Sequence, residues 1–259
     1  MIPPHARSAV LAALSAVQAD GRRVLFAVES GSRAWGFASA DSDFDVRFIY
    51  ARPRDWYLSI DLERKPDTVE KMLPGDIDLA GWDVRKALGL FAKSNPPLIE
   101  WLDSPIVYHD DGSFRAALRG LLPKVYSPAA CLYHYTRMAR RTLTAYLGQP
   151  TVKRKKYLYV LRPLLAARWI EQGRGPVPMP FAELFVTLGP EHSAVRAAID
   201  ALVAAKSAGG EVGAGPPDVV LEGFIRPEYD RLMAVGATLP KREPDRAALD
   251  DLFRKTVCG

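Results

Sequence analysis

Between Asp43 and Tyr50 the chain reads DFDVRFIY, and that alternation leaves few folds open. Phe44, Val46, Phe48 and Tyr50 fall on one face of an extended strand, and Asp43, Asp45, Arg47 and Ile49 on the other. Such a strand needs an apolar layer under one face and carries an acidic entrance on the other. Upstream, RVLFAVES (residues 23–30) is a short apolar run read as a buried strand, and Gly31-Ser32 follows it at the head of a helical turn, SRAWGF, which Gly36 breaks. Residues 76–79 (DIDL) alternate again, with Ile77 and Leu79 on one face and Asp76 and Asp78 on the other; YLSI at 57–60 is a weaker strand candidate. An amphipathic helix over 6–19, carrying Val10, Leu14 and Val17 at helical spacing, leads in and ends at Gly21. Asp83 is placed to cap a helix running to about Ser94 with Val84, Ala87, Leu88 and Phe91 inward, and LIEWL after Pro96-Pro97 makes another.

Beyond Pro105 the strand signals largely stop. Helices are expected at 128–147, 154–172 (kinked by Pro163), 194–206, 217–235 and 245–256, with GRGPVPMP and SAGGEVGAGP as loops. Strands and helices mixed in this way indicate a small α/β or α+β sheet domain over residues 1–110, then a mainly helical domain over 111–259, with α+β the fold class expected for the whole. A chain of 259 residues is long for one compact core and comfortable for two. No internal repeat is visible.

Composition removes several alternatives. Hydrophobic residues at 48% and charged residues at 25% are ordinary globular values, which argues against disorder. No apolar run approaches the ~20 residues of a membrane span. The opening MIPPHARSAV has no basic start followed by an apolar stretch, so no secretory leader is expected. Cys131 and Cys258 are too far apart and too few for zinc or a disulfide framework, so a cytoplasmic location is expected. The net charge of +5 hides a division. Residues 29–111 hold 16 acidic and 10 basic side chains, whereas 134–174 hold 10 basic and one acidic, Glu171. That suits cations held in one place and polyanions in another, although a solvated basic helix face has the same signature.

Three features lie close together in the first domain. Gly31-Ser32 opens a helical turn after a buried strand, and such a turn allows close backbone approach, free N–H groups and a hydroxyl, as a triphosphate requires. Asp43 and Asp45, at i and i+2 on a strand, lie about 6.5–7 Å apart along one face, a spacing that reaches two divalent cations ~3.5–4 Å apart. Asp78 on a third strand supplies a third carboxylate. An all-oxygen set suits two Mg²⁺ or Mn²⁺ ions.

GSRAWGFASADSDFDVRFIY resembles the signature of the DNA polymerase beta-type nucleotidyltransferases: apolar residue, Gly-Ser, spacer, then Asp-X-Asp in a strand. GWDVRKALGLFAKSNPPLIEWLDSPIVY narrows the likeness to the predicted nucleotidyltransferases of the RNA-repair pathway, also called RNA-ligase-associated, and KRKKYLYVLRPLLAARWIEQG extends it. The resemblance implies metal-dependent transfer of a nucleoside monophosphate from an NTP to an acceptor hydroxyl, with an RNA end as the leading acceptor. It implies that Gly31 and Ser32 hold phosphates, that Asp43 and Asp45 bind both metals, and that Asp78 deprotonates the acceptor. Asp76 shares the face of Asp78 and competes for that role.

In the second domain Lys155, Tyr159 and Arg162 share one helix face at i, i+4 and i+7. The superfamily's helical domains commonly contact base and triphosphate, and this face is the one expected to do so; Lys156 is its close competitor. Arg137 and Arg141, also on one face, offer RNA phosphates a contact, with a solvated face as the plainer reading. His5, His109, His134 and His192 show no ligand spacing, and Trp35, Trp82, Trp101 and Trp169 read as core or cleft wall. Two alternatives stand beside transfer to RNA: nucleotidylation of a protein or small molecule, and a non-catalytic RNA-binding protein on the same fold.

Overall fold

The structure, a computed structural model, describes residues 2–209, 213–236, 238–240 and 242–259. Residues 210–212 of the second expected loop lie outside the described residues. The chain divides into two compact units, one of residues 1–34, 43–126 and 243–259, the other of 35–42 and 127–242. Both units are therefore discontinuous in sequence, and the expected boundary at residue 110 falls at the end of a strand of the first.

In the first unit, α1 (Pro4–Ala19) buries Ala6, Val10, Leu14 and Val17, one stripe of an amphipathic helix. β1 (Arg23–Glu29) is buried from Val24 onward, α2 (Gly31–Trp35) begins the turn after it, and β2 (Phe44–Ala51) follows. After the short helix α3 (Arg54–Tyr57) come β3 (Thr68–Leu73) and β4 (Ile77–Asp83), joined by a turn in which Gly75 (φ +83°) and Asp76 (φ +56°) both adopt left-handed backbone. α4 (Val84–Ala92) starts where the Asp83 carboxylate accepts from Arg85 N–H, and α5 (Pro96–Leu102) where the Asn95 side chain accepts from Leu98 N–H. β5 (Val107–Asp110) and α6 (Phe114–Val125) complete the run, and a C-terminal helix, Arg246–Cys258, packs against α4 and α6.

The five strands form one mixed sheet in the order β3-β4-β2-β1-β5, in which only β2 and β4 run parallel. Phe44, Val46, Phe48 and Tyr50 of β2 and Ile77 and Leu79 of β4 pack on α1. The alternation of DFDVRFIY is the reason: one face is apolar throughout, so one helix can cover it. On the other face, Phe26 stacks with Phe114 of α6 at 6.5 Å between centroids. The stretch 57–60 is not a strand. It forms the end of α3 and a turn, with Leu58 and Ile60 exposed, since neither has an apolar layer to pack on.

The second unit is helical. α7 (Pro128–Tyr146) and α8 (Lys155–Glu171) form its centre, and α8 runs through Pro163. Two-residue strands β6 (Val152–Lys153) and β7 (Ala214–Gly215) pair beside them. α9 (Ser193–Ser207) and α10 (Val219–Gly236) pack on α8, and α10 also on α7. Arg168 of α8 and Glu228 of α10, both buried, form an ion pair at 2.6 Å that Arg231 and Glu171 extend to the surface. No described helix is long and apolar enough to cross a membrane.

Candidate active site

Parallel pairing of β2 with β4 places Asp45 directly opposite Asp78, in a register that also matches Phe44 with Ile77 and Val46 with Leu79. Burial of those apolar pairs sets the register, because a slip by one residue would turn every one of them away from α1. Both carboxylates stand on the face opposite the core, at 29% and 36% exposure. One guanidinium nitrogen of Arg47 lies 2.9 Å from Asp45 Oδ1 and 2.8 Å from Asp78 Oδ2, and the other terminal nitrogen donates to the Asp78 carbonyl at 2.9 Å. In the sequence Arg47 stands only as one of the alternating residues of DFDVRFIY. Its signal was present: a cation two places after Asp45 must share its face.

Asp43 precedes β2 and is exposed, and its carbonyl accepts from Arg33 Nε at 3.1 Å. The Arg33 guanidinium lies 3.9 Å from the centre of the Phe44 ring, which ties α2 to the start of β2. Gly31 has φ +58°, and a Cβ there would stand 1.9 Å from Asp45 Oδ2. Glycine is therefore required on two grounds, backbone conformation and space. Ser32 is buried beside it. The two parts of the motif, separated by ten intervening residues, are thus in contact through the Gly31 α-carbon and the Asp45 carboxylate.

Glu29, the last residue of β1, was missed at sequence level as the end of an apolar strand. It is fully buried, accepts from the backbone N–H of Asp45 at 2.8 Å and from the Tyr108 hydroxyl at 2.6 Å. Burial pushes its carboxyl up to about 7, against the pull of those two hydrogen bonds. Burial also raises Asp45, with Asp78 and Asp43 adding to the rise and Arg47 opposing it. A carboxylate ending an otherwise apolar strand was the available signal, because it demands buried donors.

Of the two competitors for the third carboxylate, Asp76 lies exposed in the turn before β4, where its carbonyl accepts from Phe44 N–H at 2.8 Å, while Asp78 is the one set opposite Asp45. Among the described residues no three His, Cys, Asp or Glu side chains converge on one point. The donor set nonetheless fits a hard divalent cation: it is all oxygen, and a positive guanidinium already bridges two of its members.

In the second unit Lys155 and Tyr159 are exposed on α8. Arg162 is not on that surface, which corrects the expectation of a shared open face. It is 2% exposed, with its guanidinium 4.4 Å from the centre of the Trp35 ring and a hydrogen bond to the Met179 carbonyl. The same Trp35 meets Tyr159 edge-on at 6.1 Å, so the indole covers the third residue of the face. The ammonium of Lys156 lies 3.9 Å from the Tyr146 ring centre.

A mixed five-stranded sheet joined to helices, with Gly-Ser packed on an Asp-X-Asp strand, is a polymerase beta-like nucleotidyltransferase arrangement. Residues 6–255 match the model of the RNA repair pathway DNA polymerase beta family, RlaP, and the chain belongs to that family. It is also 43% identical over 241 residues to the uncharacterized protein YcgL of Bacillus subtilis (strain 168), across 93% of this chain and 92% of that protein. The family description points to nucleotidyltransferase chemistry in an RNA repair setting, and polymerase beta-like nucleotidyltransferases typically use divalent metals.

Proposed function

We propose that the chain transfers a nucleoside monophosphate from an NTP to an acceptor hydroxyl at an RNA end. The observation that carries this reading is the convergence of Gly31, Asp45 and Asp78 at one end of β2 and β4. In the reaction the acceptor oxygen bonds to the α-phosphorus, the bond to the bridging oxygen breaks, and pyrophosphate leaves. Asp43, Asp45 and Asp78 would hold the divalent cations, whose chemistry is to neutralise phosphate charge and acidify the acceptor hydroxyl.

The remaining steps belong to this chain's own residues. Gly31 is assigned to the phosphates through its backbone, while the room left by its missing side chain is taken by Asp45 Oδ2; Ser32 stands beside it. Asp78 is the group assigned to take the acceptor proton, and Arg47 orients it through two hydrogen bonds. Glu29 fixes the Asp45 backbone from behind. Lys155 and Tyr159, exposed on α8, are assigned to the nucleotide, with the first unit as the catalytic one and the second as the nucleotide- and acceptor-binding one. Arg162 supports them indirectly by holding Trp35.

The test is incubation of the protein with Mg²⁺ or Mn²⁺, an RNA pool and each α-labelled NTP in turn. Label is expected in RNA, and absent with Asp45→Asn. Label on the protein itself would replace the RNA acceptor with a protein one, and no label from any NTP would overturn the reading.

A further inference from the structure

The helical unit carries a groove of about 850 Å³ between α7 and α10, lined by Tyr133, His134, Arg137, Met138, Arg140, Arg141, Thr144, Tyr229 and Met233. Four features of it stand together. Three arginines line it, and no lining residue is acidic. Arg140 and Arg141 have no carboxylate partner among the described residues, whereas Arg196, Arg226 and Arg231 elsewhere in the same unit each pair with one. Large apolar side chains are exposed along it, Tyr133 at 53% and Met138 and Met233 at 40% each. Finally, Arg137 donates to the Tyr133 hydroxyl at 3.1 Å and places its guanidinium 5.5 Å from the centre of that ring, which builds a cation–aromatic platform at the surface.

A solvated helix face accounts for arginines but not for rings and methionines left in water beside them. Binding of polyanion phosphate alone would need only the cations. Cations interleaved with aromatic rings are what a flexible nucleic-acid strand engages, phosphates on the former and unstacked bases on the latter. His134 adds to the aromatic side of the balance: burial, then the neighbouring Arg137, hold its pKa below the usual value.

We propose that this groove binds single-stranded RNA, with Arg137, Arg140 and Arg141 on phosphates and Tyr133 as a base-stacking platform. The proposal deepens the transferase reading and rests on it, since it names where the acceptor strand is held.

The test uses the full chain without NTP or metal, so that it reads binding apart from chemistry. Affinity for a labelled single-stranded RNA of about 15 nucleotides is measured by anisotropy across a salt series, alongside a duplex of the same length and a polyglutamate peptide. The double variant Arg137→Ala, Arg141→Ala is expected to lose at least about tenfold in affinity at low salt and to flatten the salt slope by about 1.4, roughly 0.7 per lost phosphate contact. Tyr133→Ala is expected to lose about tenfold with the slope unchanged. Arg196→Ala, on α9, is expected to bind as wild type does. Melting temperatures near wild type establish that the variants are folded, as the exposure of all these side chains leads one to expect.

Wild-type affinity and slope in both groove variants would overturn the assignment, and so would binding of polyglutamate as tight as that of RNA, which would make the groove an acidic-protein site. Duplex bound as tightly as single strand, with no effect of Tyr133→Ala, would also overturn it. If labelled nucleotides enter RNA while the groove variants bind normally, the groove fails and the transferase reading stands. Wild-type groove-dependent RNA binding with no transfer from any NTP would do the reverse.

Discussion

Asp45 and Asp78 face each other across two parallel strands, and a single Arg47 nitrogen lies within 2.9 Å of both. Two carboxylates so placed repel when charged, and a cation between them offsets that repulsion. Arg47 therefore keeps the pair in position in the metal-free protein. Arg47→Ala is expected to lower metal-free stability by about 1–2 kcal/mol. It is also expected to increase the rise in melting temperature on adding Mg²⁺, because the ion then supplies the missing charge. A thermal melt with and without Mg²⁺ checks this; equal Mg²⁺ shifts in wild type and variant would contradict it.

Asp43→Asn and Asp45→Asn each keep shape and remove one anionic ligand. Transfer is expected to fall by at least about a hundredfold, about 2.7 kcal/mol in the barrier, with the circular dichroism spectrum unchanged. Asp78→Asn is expected to retain NTP binding and lose the chemical step, while Asp76→Asn, in the exposed turn, is mild. Equilibrium NTP binding set beside single-turnover rates separates the four variants. The reverse pattern for the last two would move the third carboxylate by two residues.

Gly31→Ala would set a methyl group 1.9 Å from Asp45 Oδ2 at a backbone φ of +58°. Gly36→Ala faces a φ of +87° but no atom within 4 Å. The second change is expected to show only the backbone cost, about 1 kcal/mol. The first should cost more and abolish transfer by displacing Asp45. Denaturant melts of the two variants measure the difference directly.

Strands β2 and β4 were legible because their apolar residues recur at the period of a sheet with one covered face, and β1 because it is an unbroken apolar run buried from Val24 onward. β3 was not, since TVEKML lies at the sheet edge with no residue fully buried and therefore carries no selected alternation. β5 was lost for a different reason: at four residues it is too short for a period to register. The carboxylates and Gly-Ser could be found because the chemistry gathers within a short stretch, but pairing register is a long-range property. Only the fold reveals that Arg47 reaches Asp78, that Glu29 holds Asp45 from behind, and that Trp35 covers Arg162.

In the helical unit, burial raises the Glu228 carboxyl, but hydrogen bonds from Arg231 and Arg168 and their charges outweigh it and hold the pKa below the ordinary 4.5. A depressed folded-state pKa contributes stability that is present above the unfolded value and lost as pH falls through the folded one. Stability is therefore expected to decline as pH drops below about 4.5, and Glu228→Gln should show a shallower acid dependence. At neutral pH that variant is expected to lose about 3–5 kcal/mol, because Arg168 is left buried and unpaired. Urea melts across a pH series test both the sign and the size.

The most direct test of the central claim is the intact mass of one defined RNA strand after incubation with the protein, Mg²⁺ and the NTPs. Transfer to an RNA end adds whole nucleoside monophosphate units to that strand, releases one pyrophosphate for each unit, and stops with Asp45→Asn. An RNA of unchanged mass, while pyrophosphate is still released and the protein or a small molecule gains the nucleotide, would contradict it.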